Sequence, residues 1–83
     1  MKVVTSAQEL PSACAFVPTM GALHAGHGSL FTIAATYSKD VVARIFVNPR
    51  QFENKEDLEK YPRTPERDIE LAEKFGVTHL WLP

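Results

Sequence analysis

The stretch Ala15-Phe16-Val17-Pro18-Thr19-Met20-Gly21-Ala22-Leu23-His24-Ala25-Gly26-His27 decides how this chain is read. Ala15-Phe16-Val17 is a short apolar run closed by Pro18, which predicts a buried strand. Gly21 and Gly26 bracket a turn. Beyond it Leu30, Ile33, Ala34 and Tyr37 recur at helical spacing, so a helix is predicted from about Gly26 to Ser38, with those four as its apolar side. Strand, glycine turn and helix in that order open an α/β unit.

The rest of the chain extends the pattern. Val41 to Val47 is nearly continuous and β-branched, as in parallel strands covered on both faces, and Asn48-Pro49 ends it. Residues 50–64 are polar and form a long excursion with one helical turn near Glu56–Lys60. Thr64 then reads as an N-cap with Pro65 at the first helical position. Ile69, Leu71, Ala72 and Phe75 supply the apolar side of that helix, and Gly76 stops it. Val77 to Leu82 reads as a further strand. The alternation predicts a Rossmann-like parallel sheet of three to four strands with flanking helices. Because the series stops at Pro83, on what should be a strand end, residues 1–83 are expected to form the N-terminal half of such a sheet.

Composition narrows the function classes. The 83 residues carry a net charge of −1 and 45% hydrophobic side chains. That is globular material without the basic footprint of a nucleic-acid or membrane-surface binder, so neither partner is expected. The lone cysteine, Cys14, excludes an intrachain disulfide framework and is expected to pack beside the first strand. No apolar run approaches the ~18 residues of a membrane span. The start Met1-Lys2-Val3-Val4 lacks a signal-peptide core, so the cytoplasm is the expected location.

His24-Ala25-Gly26-His27 falls between strand and helix, at the carboxyl end of a parallel strand where α/β ligands bind. Three residues apart, the two histidines project from one side of the first helical turn. The backbone N–H groups and dipole of a helix start favour an anion there. Gly26 lets a phosphate approach the backbone, and Gly21 permits the preceding turn. Imidazoles donate to phosphate oxygens, and one can be protonated as charge builds on an attacked phosphate. A zinc site would need further ligands, and His79, Cys14 and scattered carboxylates lack the spacing, so no metal site is expected. The motif points to nucleotidyl transfer without naming a substrate.

Three segments carry a resemblance. Pro18-Thr19-Met20-Gly21-Ala22-Leu23-His24-Ala25-Gly26-His27, Ile45-Phe46-Val47-Asn48-Pro49-Arg50-Gln51-Phe52 and Tyr61-Pro62-Arg63-Thr64 resemble, in order and spacing, successive signatures of the pantothenate synthetase (pantoate–β-alanine ligase) family. The similarity runs from about Phe16 to Pro83. It implies an α/β fold of the HxGH nucleotidyltransferase type. The implied reaction is ATP-dependent: pantoate is activated as pantoyl adenylate, pyrophosphate leaves with Mg²⁺, and β-alanine displaces AMP. It further implies that Met20, Gly21, Ala22, Leu23, His24, Ala25, Gly26 and His27 bind ATP, with His27 as proton donor and His24 beside it. Gln51 would contact pantoate near the β-alanine position, with Asn48, Pro18 and Thr19 close to the same pocket. A homodimer is implied for the full-length enzyme. Tyr61 and Arg63 are expected to brace the loop or a partner subunit, and His79 to be a packed or edge residue.

Several positions depart from that pattern. Gly28 stands where the family has an apolar residue, Arg44 where it has a small one, and Arg50 where leucine or methionine is usual. Pro11 limits any helix ahead of Phe16, where the family has a full one. The family's later lysine and Ser-Ser-Arg segments, a further glutamine and a lid domain have no counterpart in residues 1–83. The chain alone is therefore expected to show no measurable ligase activity. Three alternatives stay open: a non-catalytic half-domain binding nucleotide or pantoate, a bare structural or dimerising fragment, and another HxGH transferase such as a cytidylyltransferase.

Overall fold

The computed structural model describes all residues, Met1–Pro83. Strands β1 (Lys2–Val4), β2 (Ala15–Thr19), β3 (Val41–Ile45) and β4 (His79–Trp81) form one sheet, alternating with helices α1 (Ala25–Tyr37), α2 (Lys55–Lys60) and α3 (Pro65–Lys74). Single 3₁₀ turns occupy Ala7–Glu9 and Pro49–Gln51. All pairings are parallel, in the order β1-β4-β3-β2. The α/β sheet expected from the alternation is present, with β1 as a fourth strand that the opening Met1-Lys2-Val3-Val4 did not announce. Three residues are too few to show a period, and β1 exists because Lys2, Val3 and Val4 pair with His79, Leu80 and Trp81. No helix is long and apolar enough to cross a membrane.

Chain direction decides which face each connection covers. The steps β2→β3 and β3→β4 run the same way across the sheet, so right-handed crossovers place α1 and α3 side by side on one face. The step β1→β2 runs the other way, so residues 5–14 cross the opposite face. The core lies under the helices: Leu23, Phe31, Ala34, Val41, Ala43, Ala72, Val77 and Leu80 form one buried cluster. Phe31 is wholly enclosed there. Its loss to alanine would cost about 3–5 kcal/mol.

The apolar side of α1 is not the predicted one. Gly28, Phe31 and Ala34 are buried, whereas Leu30, Ile33 and Tyr37 face outward, Tyr37 being 83% exposed. The helix is apolar nearly all round, so spacing alone allowed two faces, and packing against β2 and β3 selected between them. Gly28 gains its explanation here: a Cβ at that position would lie 2.7 Å from the Phe75 ring. Phe75 occupies the volume that a larger residue at position 28 would fill.

Other boundaries shift for local reasons. Pro18 does not end β2, which runs on to Thr19. As the last strand in the order, β2 has a free edge that tolerates a residue without an N–H. β3 stops at Ile45 rather than Val47, and β4 keeps only His79–Trp81 of the predicted 77–82. Thr64 occupies the N-cap position of α3 but makes no side-chain cap bond. Cys14 is exposed rather than packed.

Arg44 sits half-buried on the sheet face opposite α1 and α3, in register with Pro18 and Trp81. Its guanidinium carbon stands 5.7 Å from the Phe16 ring centroid, 5.8 Å from Phe46 and 6.0 Å from Trp81. Three aromatic faces thus supply the partner that a charge on a strand requires, although its Nε makes no hydrogen bond.

Candidate functional site

The loop from Met20 to His24 joins the carboxyl end of β2 to α1. Gly21 and Ala22 both have positive φ, at 81° and 50°. An alanine rarely adopts that conformation, so the loop must be held from outside. Asp68 on α3 holds it. Its carboxylate is 2% exposed and accepts the Ala22 N–H at 3.1 Å, the Leu23 N–H at 2.8 Å and the Thr64 hydroxyl at 3.0 Å. Thr19 finishes the loop from below. Its hydroxyl donates to the Arg44 carbonyl at 2.9 Å and accepts the Gly21 N–H at 3.2 Å.

His24 is the N-cap of α1, and its Nδ1 accepts the Gly26 N–H at 3.0 Å. The His27 Nδ1 accepts the His24 N–H at 3.1 Å, and the two rings lie 4.1 Å apart at 50°. A neutral imidazole whose Nδ1 accepts a hydrogen bond carries its proton on Nε2. Both rings are thereby fixed as Nε2–H donors. Gly26 serves this arrangement, because a Cβ there would meet His24 Cε1 at 2.8 Å and Nδ1 at 3.0 Å. Desolvation holds the His27 pKa below the ordinary 6.5, the adjacent His24 pushes it the same way, and Asp68 opposes them. The ring favours the neutral state that its hydrogen bond requires.

This geometry corrects one expectation. The free backbone N–H groups foreseen for an anion are largely committed: those of Gly21, Ala22, Leu23, His24 and Gly26 all donate within the chain. The imidazole Nε2–H groups, which make no hydrogen bond within the chain, remain as donors beside the positive end of the α1 dipole. No three His, Cys, Asp or Glu side chains converge as a metal-binding group.

A cavity of about 280 Å³ lies between this loop, the ends of β3 and β4 and the start of α3. Met20, Gly21 and Ala22 line it, with Phe46, Arg63 and Asp68 among the other walls. His24 at the loop's end and Ala25, Gly26 and His27 in the first turn of α1 stand outside it, and of these only His27 is half-buried. Leu23 points inward to the core. Gln51 is exposed and Asn48 half-buried, neither on the cavity wall; Asn48 Oδ1 accepts the Arg50 N–H at 3.0 Å, bonding its own turn. Pro18 is exposed on the edge strand. Tyr61 stacks edge-on against Phe52 at 5.5 Å, and Arg63 donates to the carbonyls of Leu58 and Tyr61. Both brace the 50–64 excursion.

Asp68 is the residue that motif reading missed. Nothing local marks it, since an aspartate in the first turn of a helix ordinarily serves the helix dipole. The only available signal was its place four residues after Thr64 on the side shared with Ala72.

The likeness to known proteins extends over the whole chain. The solved pantothenate synthetase of Thermus thermophilus superposes with a TM-score of 0.91 at 43% identity, over 100% of this chain and 32% of that one. The pantoate-beta-alanine ligase of Francisella tularensis, solved with beta-gamma ATP and beta-alanine, does so with 0.77 at 39% identity, over 99% and 27%. Among curated relatives, the pantothenate synthetase of Stenotrophomonas maltophilia (strain K279a) is 56% identical over 69 residues, 83% of this chain and 25% of that protein. That of Xylella fastidiosa (strain M12) is 55% identical over the same shares. This chain thus spans about a quarter of the length of the curated relatives it matches. With the pantoate-beta-alanine ligase model matching residues 1–83 from end to end, the chain belongs to that family.

Proposed function

We propose that this chain provides the α-phosphate-handling part of an ATP-dependent pantoate–β-alanine ligase. The observation that carries the reading is the pair of Nε2–H donors at the start of α1. In the proposed reaction a pantoate carboxylate oxygen attacks the α-phosphorus of ATP, and the bond to the β-phosphate oxygen breaks. Pantoyl adenylate and pyrophosphate result. The amine of β-alanine then attacks the acyl carbon, the acyl–phosphate bond breaks, and pantothenate and AMP leave.

His24 and His27 would donate to the α-phosphate oxygens as negative charge grows on them. Neutral donors held in place need no reorganisation at the moment of reaction, which is where such groups contribute most. The lowered pKa of His27 suits it to donate a hydrogen bond without itself becoming a stable cation. Met20 to His27 would line the nucleotide, while Gln51, Asn48, Pro18 and Thr19 would serve the pantoate side. Gln51 is free to do so, and its amide can both donate and accept against hydroxyl and carboxylate groups. Mg²⁺ would arrive on the triphosphate, since no cluster of three or more acidic, histidine or cysteine side chains here offers it a site. A homodimer in the cytoplasm, with no nucleic-acid or membrane partner, belongs to the same proposal.

Residues 1–83 alone are expected to turn over no pantothenate. Titration with ATP tests the reading directly: binding that falls at least about tenfold in His27→Ala is the expected outcome. ATP affinity unchanged by that substitution would remove the histidine pair from the nucleotide site. AMP release from ATP, pantoate and β-alanine at a rate near that of an intact ligase would overturn the expected inactivity.

A further inference from the structure

We infer that Asp68 is the positioning residue of the histidine pair. Its buried carboxylate holds the Ala22–Leu23 turn, which sets where the His24 backbone enters α1 and so which way both imidazoles point. The inference deepens the nucleotide-site reading above and rests on it for its consequence, though not for its geometry.

The carboxylate has a second oxygen, and both are used on the loop. Oδ2 takes the Ala22 N–H and Oδ1 the Leu23 N–H, from a residue 46 and 45 positions away in sequence. Two parallel N–H···O bonds fix the orientation of a peptide pair more tightly than one. They also offset the left-handed conformation of Ala22, whose φ of 50° the loop would otherwise relax. The next peptide N–H is that of His24, which His27 Nδ1 accepts, and the His24 ring accepts from Gly26 in turn. Asp68 is thus tied by hydrogen bonds to the turn, and the turn by adjoining backbone to the two histidine bonds. Asp68 touches no ligand-facing atom of either imidazole, so its role is to place the donors and not to act on substrate. Holding the Ala22 and Leu23 N–H groups also removes them as competing anion sites, leaving the Nε2–H groups to receive the phosphate.

Asp68→Asn is nearly isosteric but must turn an NH₂ toward one of the two loop N–H groups, setting donor against donor. Thr64→Val is the control, because it removes the third bond to Asp68 and leaves both loop bonds intact. The first readout needs no ligand: ¹⁵N chemical shifts of the histidine rings report which nitrogen carries the proton. In the wild-type chain and in Thr64→Val, His24 and His27 are expected as Nε2–H tautomers. In Asp68→Asn they are expected as mixtures, with faster amide exchange at Ala22 and Leu23. The second readout is ATP affinity, expected to fall about tenfold in Asp68→Asn and less than about twofold in Thr64→Val.

Unchanged ring tautomers in a folded Asp68→Asn chain overturn the inference, whatever ATP does. Shifted tautomers with no ATP binding by the wild type uphold the positioning role and sink the nucleotide reading instead. If Asp68→Asn does not fold, Gly21→Ala perturbs the same contact from the loop side, since its Cβ would lie 3.1 Å from Asp68 Oδ2. The same loss of tautomer order is expected there, and its absence would likewise overturn the inference.

Discussion

Replacing Gly26 by alanine separates stability from function at the histidine pair. Gly26 is the second residue of α1, and alanine is preferred over glycine in a helix by about 1 kcal/mol. Against that gain, the new Cβ would lie 2.8 Å from His24 Cε1 and 3.0 Å from its Nδ1. The exposed imidazole is the element free to move, so it swings away and the cap bond to Gly26 N–H is lost. Losing such a cap costs about 1 kcal/mol. The two terms nearly cancel, and the melting temperature is expected to change by no more than about 5 °C for a domain of this size. Ligand binding has no such compensation. In the proposed site a displaced His24 would forfeit one hydrogen bond to a charged phosphate, about 1.5–3 kcal/mol, or roughly 10- to 150-fold in ATP affinity. Thermal melts by circular dichroism and calorimetric ATP titration measure the two quantities on one sample. A Gly26→Ala chain that binds ATP as well as the wild type, with the His24 ring still an Nε2–H tautomer, would refute the reasoning.

The remaining predictions concern packing, protonation and substrate. Gly28→Ala should destabilise despite its better helix propensity, because overpacking against Phe75 costs about 1–3 kcal/mol and propensity returns about 1. Adding Phe75→Leu should recover part of the loss, and a higher melting temperature for Gly28→Ala alone would count against the contact. Because the folded pKa of His27 lies below 6.5, the unfolded chain binds more protons between the two values. Stability should therefore rise with pH through that window and be lost as pH falls through the folded pKa. The melting temperature should be higher at pH 7.5 than at pH 5.5, by less in His27→Ala, and an NMR titration midpoint for His27 above 6.5 would contradict this. Gln51→Ala should abolish pantoate binding while leaving the melting temperature within about 2 °C, as befits an exposed side chain. Retained pantoate binding would move the substrate elsewhere.

Where local pattern is strong, the chain's organisation was legible before any coordinates. The β-branched run at 41–47, the Thr64-Pro65 helix start and the strand–glycine–helix passage around His24 each rest on interactions within a few residues. Such interactions repeat with the periods of helix and strand. The type and order of these elements, and the place of His24 and His27 at a helix start, followed from that alone. The resemblance was legible too, carried by the three motif segments and not by period or spacing, and the family membership bears it out. What stayed hidden depends on partners far along the chain. β1 is a strand only because residue 2 meets residue 79. The buried face of α1 was ambiguous because the helix is apolar on more than one side, and only β2 and β3 choose Phe31 over Leu30.

The same division runs through the site. Sequence by itself determined that two histidines and a glycine open a helix after a parallel strand, and that Gln51 follows at the end of the next one. Tertiary structure decided what those residues can do. It took the Ala22 and Leu23 N–H groups away from a ligand, whereas the bonds that leave each imidazole an Nε2–H donor lie within one turn of the chain. It also placed Asp68 beneath a turn 45 residues earlier in the chain. The physical reason is reach: dihedral preference and side-chain spacing act over a single turn or a few strand positions. A hydrogen bond between distant segments exists only once the sheet has brought them together.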